Sequence, residues 1–237
     1  ADYYRDNGDN EKSYNELKLA FKSTKLNIDI KVRILASYYQ LIVLNEDMVV
    51  QAYELAAILI KTHPEDLKAR AVFADILYTD NQYQEAKEQY LIILEKDKSK
   101  RQIWSQVLFI EAEQNDFEGM LKTSKEALEY FPTDPLFYYF NGTSNKWFKN
   151  YDAAIKSLKI GIEFVVENQN LLLEFYSSLA DVYHTTKQHK ISDEYYEKAL
   201  DIDPNNVLIL NNYAYYLSVR KINLEKAKEM SFRCNEL

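Results

Sequence analysis

The sequence contains little glycine and little proline, with four residues of each among 237. A turn-dense β fold needs more of both, so the composition excludes an all-β protein and favours helices. The single cysteine, Cys234, excludes an intramolecular disulfide and a zinc site built from several cysteines. The net charge of −8 argues against nonspecific binding to nucleic acid or to an anionic membrane surface. The longest uncharged run, Ile34 to Asn45, is too short to cross a membrane.

Motifs that carry chemistry are also missing. The sequence has no GxGxxG, no GxxxxGK[ST], no HExxH and no GxSxG. His184 and His189 are five residues apart, so they do not share a helix face as a pair of zinc ligands would. The DIDPNN segment from Asp201 lacks the glycine and the distal glutamate of a calcium loop. We therefore predict no enzyme activity, no cofactor, no metal and no small-molecule substrate.

The prolines and alanines recur with a fixed period. Pro64 and Pro132 are 68 residues apart, which is twice 34, and Pro132 and Pro204 are 72 apart, which adds four residues to the same interval. A helix-rich chain with this period is typical of stacked helical hairpins. Such a stack offers a binding surface rather than an active-site cleft.

The period divides the chain into one partial and six further units. Positions 8, 20 and 27 of a unit carry small residues, which let helices approach closely, and positions 4, 7, 11 and 24 carry large ones that fill the space between them. The fourth full unit contains the four extra residues, and we expect its second helix to run on through them, over GIEFVVENQN at 161–170. The predicted units are 1–32 (partial), 33–66, 67–100, 101–134, 135–172, 173–206 and 207–237.

This pattern resembles the tetratricopeptide repeat family, over essentially the whole chain. The resemblance implies an all-α fold, a right-handed α-solenoid of about six helix-turn-helix hairpins, and a bacterial source. It also implies noncatalytic protein–protein interaction, as a scaffold or adaptor that binds a peptide or a partner domain in its concave groove.

In this family the first helix of each unit lines the groove, through positions 2, 5, 9 and 12. Leu41, Leu44 and Phe109 fall at such positions, and they either face the groove or are covered by neighbouring helices. The lysine and asparagine with which co-chaperone members grip a C-terminal carboxylate are absent. The predicted partner-binding residues are Tyr78, Phe109, Tyr139, Thr143, Lys146, Trp147, Asp181, His184, Asn211 and Tyr215.

The fourth full unit departs from the family pattern. Asn141 and Asn145 occupy positions 7 and 11, where large apolar side chains are expected, and buried amides need hydrogen-bond partners. Either the two amides belong to a satisfied local network, or the helix carries a binding hot spot around Tyr139, Lys146 and Trp147. We favour the network.

Two alternatives to a groove-binding adaptor remain. The chain starts within a first helix and ends in a second helix with no polar cap, so we expect a segment of a longer protein. Apolar ends near Leu224 to Leu237 could then self-associate, or the array could be a spacer arm of an envelope-associated protein. The expected location is the bacterial cell envelope, the periplasm or the cytoplasm, with any targeting segment outside this chain.

Overall fold

The structure is a computed structural model that describes residues 1–42 and 46–236. The side chains of residues 2, 5, 39–42, 46, 47 and 235 lie outside that description. Within the described ranges the chain forms fourteen α-helices and no strand, which confirms the predicted all-α helical repeat fold.

The helices divide into two bodies, Ala1–Ile110 (the N-terminal body) and Glu111–Leu237 (the C-terminal body). The seventh helix crosses the boundary between them. In chain order the first seven helices are α1 (Asp2–Asp6), α2 (Asn10–Lys22), α3 (Ile28–Ile42), α4 (Glu46–Thr62), α5 (Leu67–Thr79), α6 (Tyr83–Lys96) and α7 (Arg101–Glu113). The others are α8 (Phe117–Tyr130), α9 (Pro135–Trp147), α10 (Tyr151–Glu163), α11 (Gln169–Thr185), α12 (His189–Ile202), α13 (Val207–Arg220) and α14 (Leu224–Glu236).

The first helix of several units is capped by a polar residue at the end of the preceding unit. Asp66 accepts a hydrogen bond from the Lys68 amide at 2.8 Å, and Asp134 accepts one from Leu136 at 3.0 Å. These carboxylates accept hydrogen bonds from amides that have no partner inside the helix. Their negative charge is also attracted to the positive N-terminal end of the helix dipole. Pro135 then occupies the first turn of α9, where a missing amide hydrogen costs nothing. The cap residues follow the repeat prolines by two positions, so the 34-residue period also sets where helices begin.

Across the ranges that the structure describes, six hairpin turns have the same backbone geometry. The central residue of each turn, at position 15 of the unit, has a φ between 54° and 76°. The amide of the next residue donates to the carbonyl five residues earlier at 2.7–3.1 Å, which closes the helix end in a Schellman-type turn. The central residues are Gly8, Asn81, Asn115, Lys149, Lys187 and Lys221.

Each body has its own apolar core. In the N-terminal body the alanines of the repeat lie at helix contacts, so Ala52, Ala56 and Ala74 are fully buried. In the C-terminal body Gly142 and Gly161 have this role. A Cβ on Gly161 would lie 2.5 Å from the Phe175 ring, which shows how closely α10 and α11 approach.

The prediction that the second helix of unit 135–172 is extended is wrong. The helix α10 ends at Glu163, and the four extra residues instead lengthen α11, which begins at Gln169 rather than at Leu173. Two β-branched residues, Val165 and Val166, disfavour helix at this point. Asn168 then caps α11 by accepting from the Leu171 amide at 3.0 Å.

The register of the first helix in unit 33–66 also differs from expectation. Ala36, which falls at position 4 of this unit, is exposed, whereas Leu35 and Tyr38 are buried. Helix α3 begins at Ile28, five residues before the predicted unit, and Lys31 in its first turn is completely buried. The Lys31 ammonium donates to the carbonyls of Phe21 and Ser23 at 2.9 and 2.7 Å, and burial lowers its pKa. Lys31 therefore caps the C-terminal end of α2 from inside the core.

Candidate partner-binding face

Neighbouring first helices of the C-terminal body present one continuous face, which we call the groove face. It consists of positions 2, 5, 9 and 12 on α9, α11 and α13. Two contacts join α9 to α11 along it: the Tyr139 hydroxyl donates to Glu174 Oε2 at 3.1 Å, and Lys146 Nζ pairs with Asp181 Oδ2 at 3.2 Å. The first contact joins position 5 to position 2 of the next unit, and the second joins position 12 to position 9.

Tyr139 is held on this face from several sides. Its half-buried ring meets the buried Phe175 ring edge-on at 5.6 Å. Burial together with the Glu174 carboxylate raises the pKa of Tyr139 to about 12. The hydroxyl is therefore protonated at neutral pH and remains a donor to Glu174. Thr143, four residues further along α9, is half-buried.

Asp181 is bound within the protein itself. One oxygen accepts from Lys146, and the other accepts from the Tyr196 hydroxyl at 2.5 Å. The same pair of positions, 9 and 24, recurs in the N-terminal body, where Tyr90 donates to Asp75 at 2.5 Å. Neither aspartate presents an unpaired carboxylate to a ligand.

His184 packs against the aromatic surface of α13. Its ring stacks on Tyr216 at 3.6 Å and lies 5.1 Å from the His189 ring. Burial, and then the nearby His189 and Arg220, lower the pKa of His184. The imidazole is therefore a neutral, half-buried part of the face.

The helix of the groove face with the most exposed groove positions is α13. The side chain of Tyr215 is 61% exposed and that of Leu208 is 66% exposed. Asn211, one turn from each, is exposed as well. These three residues form an apolar surface with a central amide, which suits a peptide backbone and its apolar side chains.

Trp147 does not belong to this arrangement. It is exposed, but one face of its indole stacks on Phe117 of α8 at 4.2 Å. The predicted hot spot around Tyr139, Lys146 and Trp147 is therefore divided, because Trp147 contacts a second helix while the other two contact α11.

The local network that we favoured for Asn141 and Asn145 is present. Asn141 donates to Ser124 Oγ at 3.2 Å and accepts from Ser157 Oγ at 2.7 Å. The Asn145 amide nitrogen donates to the Asn141 carbonyl at 2.9 Å and to its side-chain oxygen at 3.1 Å. The two amides thus bind α8 and α10 to α9.

In the N-terminal body the predicted residues Tyr78 and Phe109 lie on α5 and α7, but neither lines the depression between these two helices. Tyr78 is half-buried with its ring 5.4 Å from that of Tyr83, and Phe109 is 40% exposed. The Leu41 side chain and Leu44 lie outside the described residues. The depression has a volume of about 360 Å³ and is lined by Ala71, Asp75, Ser99, Lys100, Arg101, Gln102, Ile103 and Gln106.

Sequence reasoning missed the partners that hold this face together. Tyr196 and Tyr216 lie at positions outside the family's groove set, yet they orient Asp181 and His184. The spacing of Asp75 to Tyr90 and of Asp181 to Tyr196 is fifteen residues in both units, and this shared interval was a signal available in the sequence.

The described residues offer neither a metal cluster nor a membrane-spanning helix. No three His, Cys, Asp or Glu side chains among them lie together in a way that could hold a metal ion. None of the helices described has the length and apolarity that a membrane crossing requires.

Two family models match the C-terminal part of the chain. Residues 173–206 match one tetratricopeptide repeat family model, and residues 195–229 match a second. The chain contains tetratricopeptide repeats. The Hsp70-Hsp90 organising protein of Plasmodium falciparum (isolate 3D7) is 29% identical over 122 residues, which cover 49% of this chain. The match spans only 20% of that relative.

Solved tetratricopeptide structures share the fold. A crystal structure of MamA is 19% identical, with a TM-score of 0.60 over 69% of this chain and 92% of its own. YrrB, described as a tetratricopeptide protein with an unusual peptide-binding site, is 18% identical, with a TM-score of 0.57 over 76% and 91%. PilF of Pseudomonas aeruginosa is 15% identical, with a TM-score of 0.65 over 94% and 93%. At these identities the likeness concerns the fold.

Proposed function

We propose that this tetratricopeptide protein is a noncatalytic interaction scaffold whose groove face binds a segment of another protein. The observation that carries the proposal is the surface of α13, where Leu208, Asn211 and Tyr215 are exposed side by side at groove positions. Tyr139 and Glu174 continue this surface onto the preceding first helices.

The physical argument rests on rigid aromatic anchors. A tyrosine presents a large contact area with few rotatable bonds and keeps its hydroxyl in water, so it loses little conformational entropy when a partner binds. The comparisons support the same class of function, because YrrB is described as having a peptide-binding site. The relative from Plasmodium falciparum is named as an organising protein of Hsp70 and Hsp90.

Site-specific photocrosslinking tests the proposal. A benzoylphenylalanine at position 215 resembles the tyrosine that it replaces and reacts with whatever lies against it. The matched control places the same group at Tyr130, which is 46% exposed near the end of the second helix α8. We expect a partner protein to crosslink to position 215 but not to position 130 in the cells that produce the chain. Crosslinking at position 130 alone would move binding off the groove face.

Self-association is a second candidate, favoured by the apolar surface of the last hairpin. Leu224 and Phe232 on α14 are 53% and 63% exposed. Exposed apolar patches of this kind mark interaction sites. If copies associate here, the mass measured by light scattering rises with concentration, and the Leu224→Ser, Phe232→Ser double variant stays monomeric at the same concentrations.

A further inference from the structure

The groove face of the C-terminal body carries more negative than positive charge. Its groove positions include two carboxylates, Glu174 and Asp181, and one ammonium, that of Lys146. Lys146 and Tyr196 both bind Asp181, so its charge is offset within the protein. Glu174 is exposed, and the contact that the structure shows for its carboxylate is the neutral Tyr139 hydroxyl. The face therefore keeps one negative charge without a cation.

The surroundings of the Glu174 carboxylate indicate the charge of the ligand that it can bind. A carboxylate offers about four lone-pair positions, and the Tyr139 hydroxyl uses one, so Glu174 can still accept from a guanidinium or an ammonium. The half-buried Tyr139 ring lies beside the carboxylate, and the face of an aromatic ring also attracts cations. An acidic ligand would instead meet Lys146, whose ammonium is already paired with Asp181.

We propose that the segment bound by the groove face is basic. An arginine or lysine of the partner packs against Tyr139 and pairs with Glu174, while an apolar side chain of the same segment contacts Leu208 or Tyr215. This inference rests on the proposed function and names the chemistry of its ligand. The net charge of −8 on the whole chain favours the approach of such a partner.

The helix spacing adds a prediction about the segment itself. Packed helices lie about 8–10 Å apart, and an extended chain advances about 3.3 Å per residue. A strand-like segment that crosses from Glu174 on α11 to Leu208 on α13 therefore covers about three residues. The basic residue and the apolar residue should be separated by roughly that number.

A randomised twelve-residue peptide library, displayed on phage and selected on the whole chain, tests the inference. We expect the recovered peptides to be enriched in arginine or lysine with an aromatic or aliphatic residue about three positions away. Anisotropy with the recovered peptides then compares Glu174→Gln with a matched control, Glu194→Gln, which changes an exposed carboxylate on the second helix α12. Glu174→Gln should weaken binding about tenfold, and Glu194→Gln should change it less than about twofold.

The outcomes separate this inference from the proposed function. Charge reversal by Glu174→Arg should shift selection from basic to acidic peptides. If the recovered peptides lose binding in Tyr215→Ala but show no excess of basic residues, the groove binds peptides and the basic ligand is wrong. If no recovered peptide responds to substitutions on the groove face, both proposals are wrong.

Discussion

The hydroxyl of Tyr196 donates to Oδ1 of Asp181 at 2.5 Å, and through it the second helix of one hairpin holds a carboxylate of the groove face. The other oxygen of Asp181 accepts from Lys146, so α9, α11 and α12 meet at one side chain. The N-terminal body repeats the relationship between Tyr90 and Asp75. The pair thus links the hairpin contact to the surface that a partner would touch.

Removing the Tyr196 hydroxyl should destabilise the C-terminal body. Tyr196→Phe keeps the buried ring and leaves Asp181 with one partner fewer, and a hydrogen bond to a charged group contributes about 1.5–3 kcal/mol. Urea denaturation followed by circular dichroism measures the loss. The control is Tyr215→Phe, which removes the hydroxyl of an exposed ring. Equal stability of the two variants would show that the Asp181 contact is energetically unimportant.

The left-handed turn residues offer a stabilising substitution. Lys187 has a φ of 61°, which costs a residue with a Cβ about 1–2 kcal/mol, whereas glycine adopts it freely. We expect Lys187→Gly to raise the free energy of unfolding by about 0.5–1 kcal/mol, after allowance for the greater flexibility of glycine in the unfolded chain. Lys198→Gly, at an exposed site inside α12, should lower it by about 1 kcal/mol. Destabilisation by both variants would contradict the prediction.

A single methyl group added at the contact between α10 and α11 should destabilise the chain. In an ordinary helix position glycine to alanine is stabilising by about 1 kcal/mol. At Gly161 the added Cβ would lie 2.5 Å from Phe175, so Gly161→Ala should instead destabilise by about 1–3 kcal/mol. Thermal unfolding checks the sign. Combining it with Phe175→Leu should recover part of the loss, and a fully additive double variant would place the strain elsewhere.

The stability of the C-terminal body should depend on the titration of His184. Its pKa in the folded chain lies below the ordinary value of 6.5, mainly because of burial. Between those two values the unfolded chain binds a proton that the folded chain does not, so the free energy of unfolding falls as the pH drops through this window. The contribution of His184 to the free energy of unfolding is fully present above pH 6.5 and is lost below the pKa of His184 in the folded chain.

A variant isolates this contribution. His184→Phe keeps an aromatic ring against Tyr216 and removes the titrating group. Denaturation curves between about pH 7.5 and pH 5 should show a smaller loss of stability for the variant than for the natural chain. Parallel pH profiles would assign the acid sensitivity to other groups.

The sequence was sufficient for the hairpins where small and large residues keep the 34-residue period. Ala86 and Tyr90 are both fully buried, as their positions 20 and 24 predict. The period is informative there because each position corresponds to a recurring contact between helices.

The sequence-based predictions fail where contacts that do not follow the 34-residue period determine helix length and burial. Nothing in the spacing says whether the four extra residues extend α10 or α11, because the outcome depends on the Asn168 cap and on the packing of Phe175 against Gly161. In the same way, the exposure of Ala36 follows from an α3 that begins at Ile28 and buries Lys31. The partners of the groove residues could be predicted in part from the sequence, because the interval from Asp75 to Tyr90 recurs between Asp181 and Tyr196.

The turn added to α11 also limits which insertions this array can accept. Each residue rotates a helix by about 100°, so four residues bring the chain back to within about 40° of its starting direction. Leu179 and Tyr183 consequently still point into the core after the insertion. An insertion of two residues would turn the same side chains through about 200° and direct them to solvent. Length changes inside the helices of this chain should therefore come in steps of one helical turn.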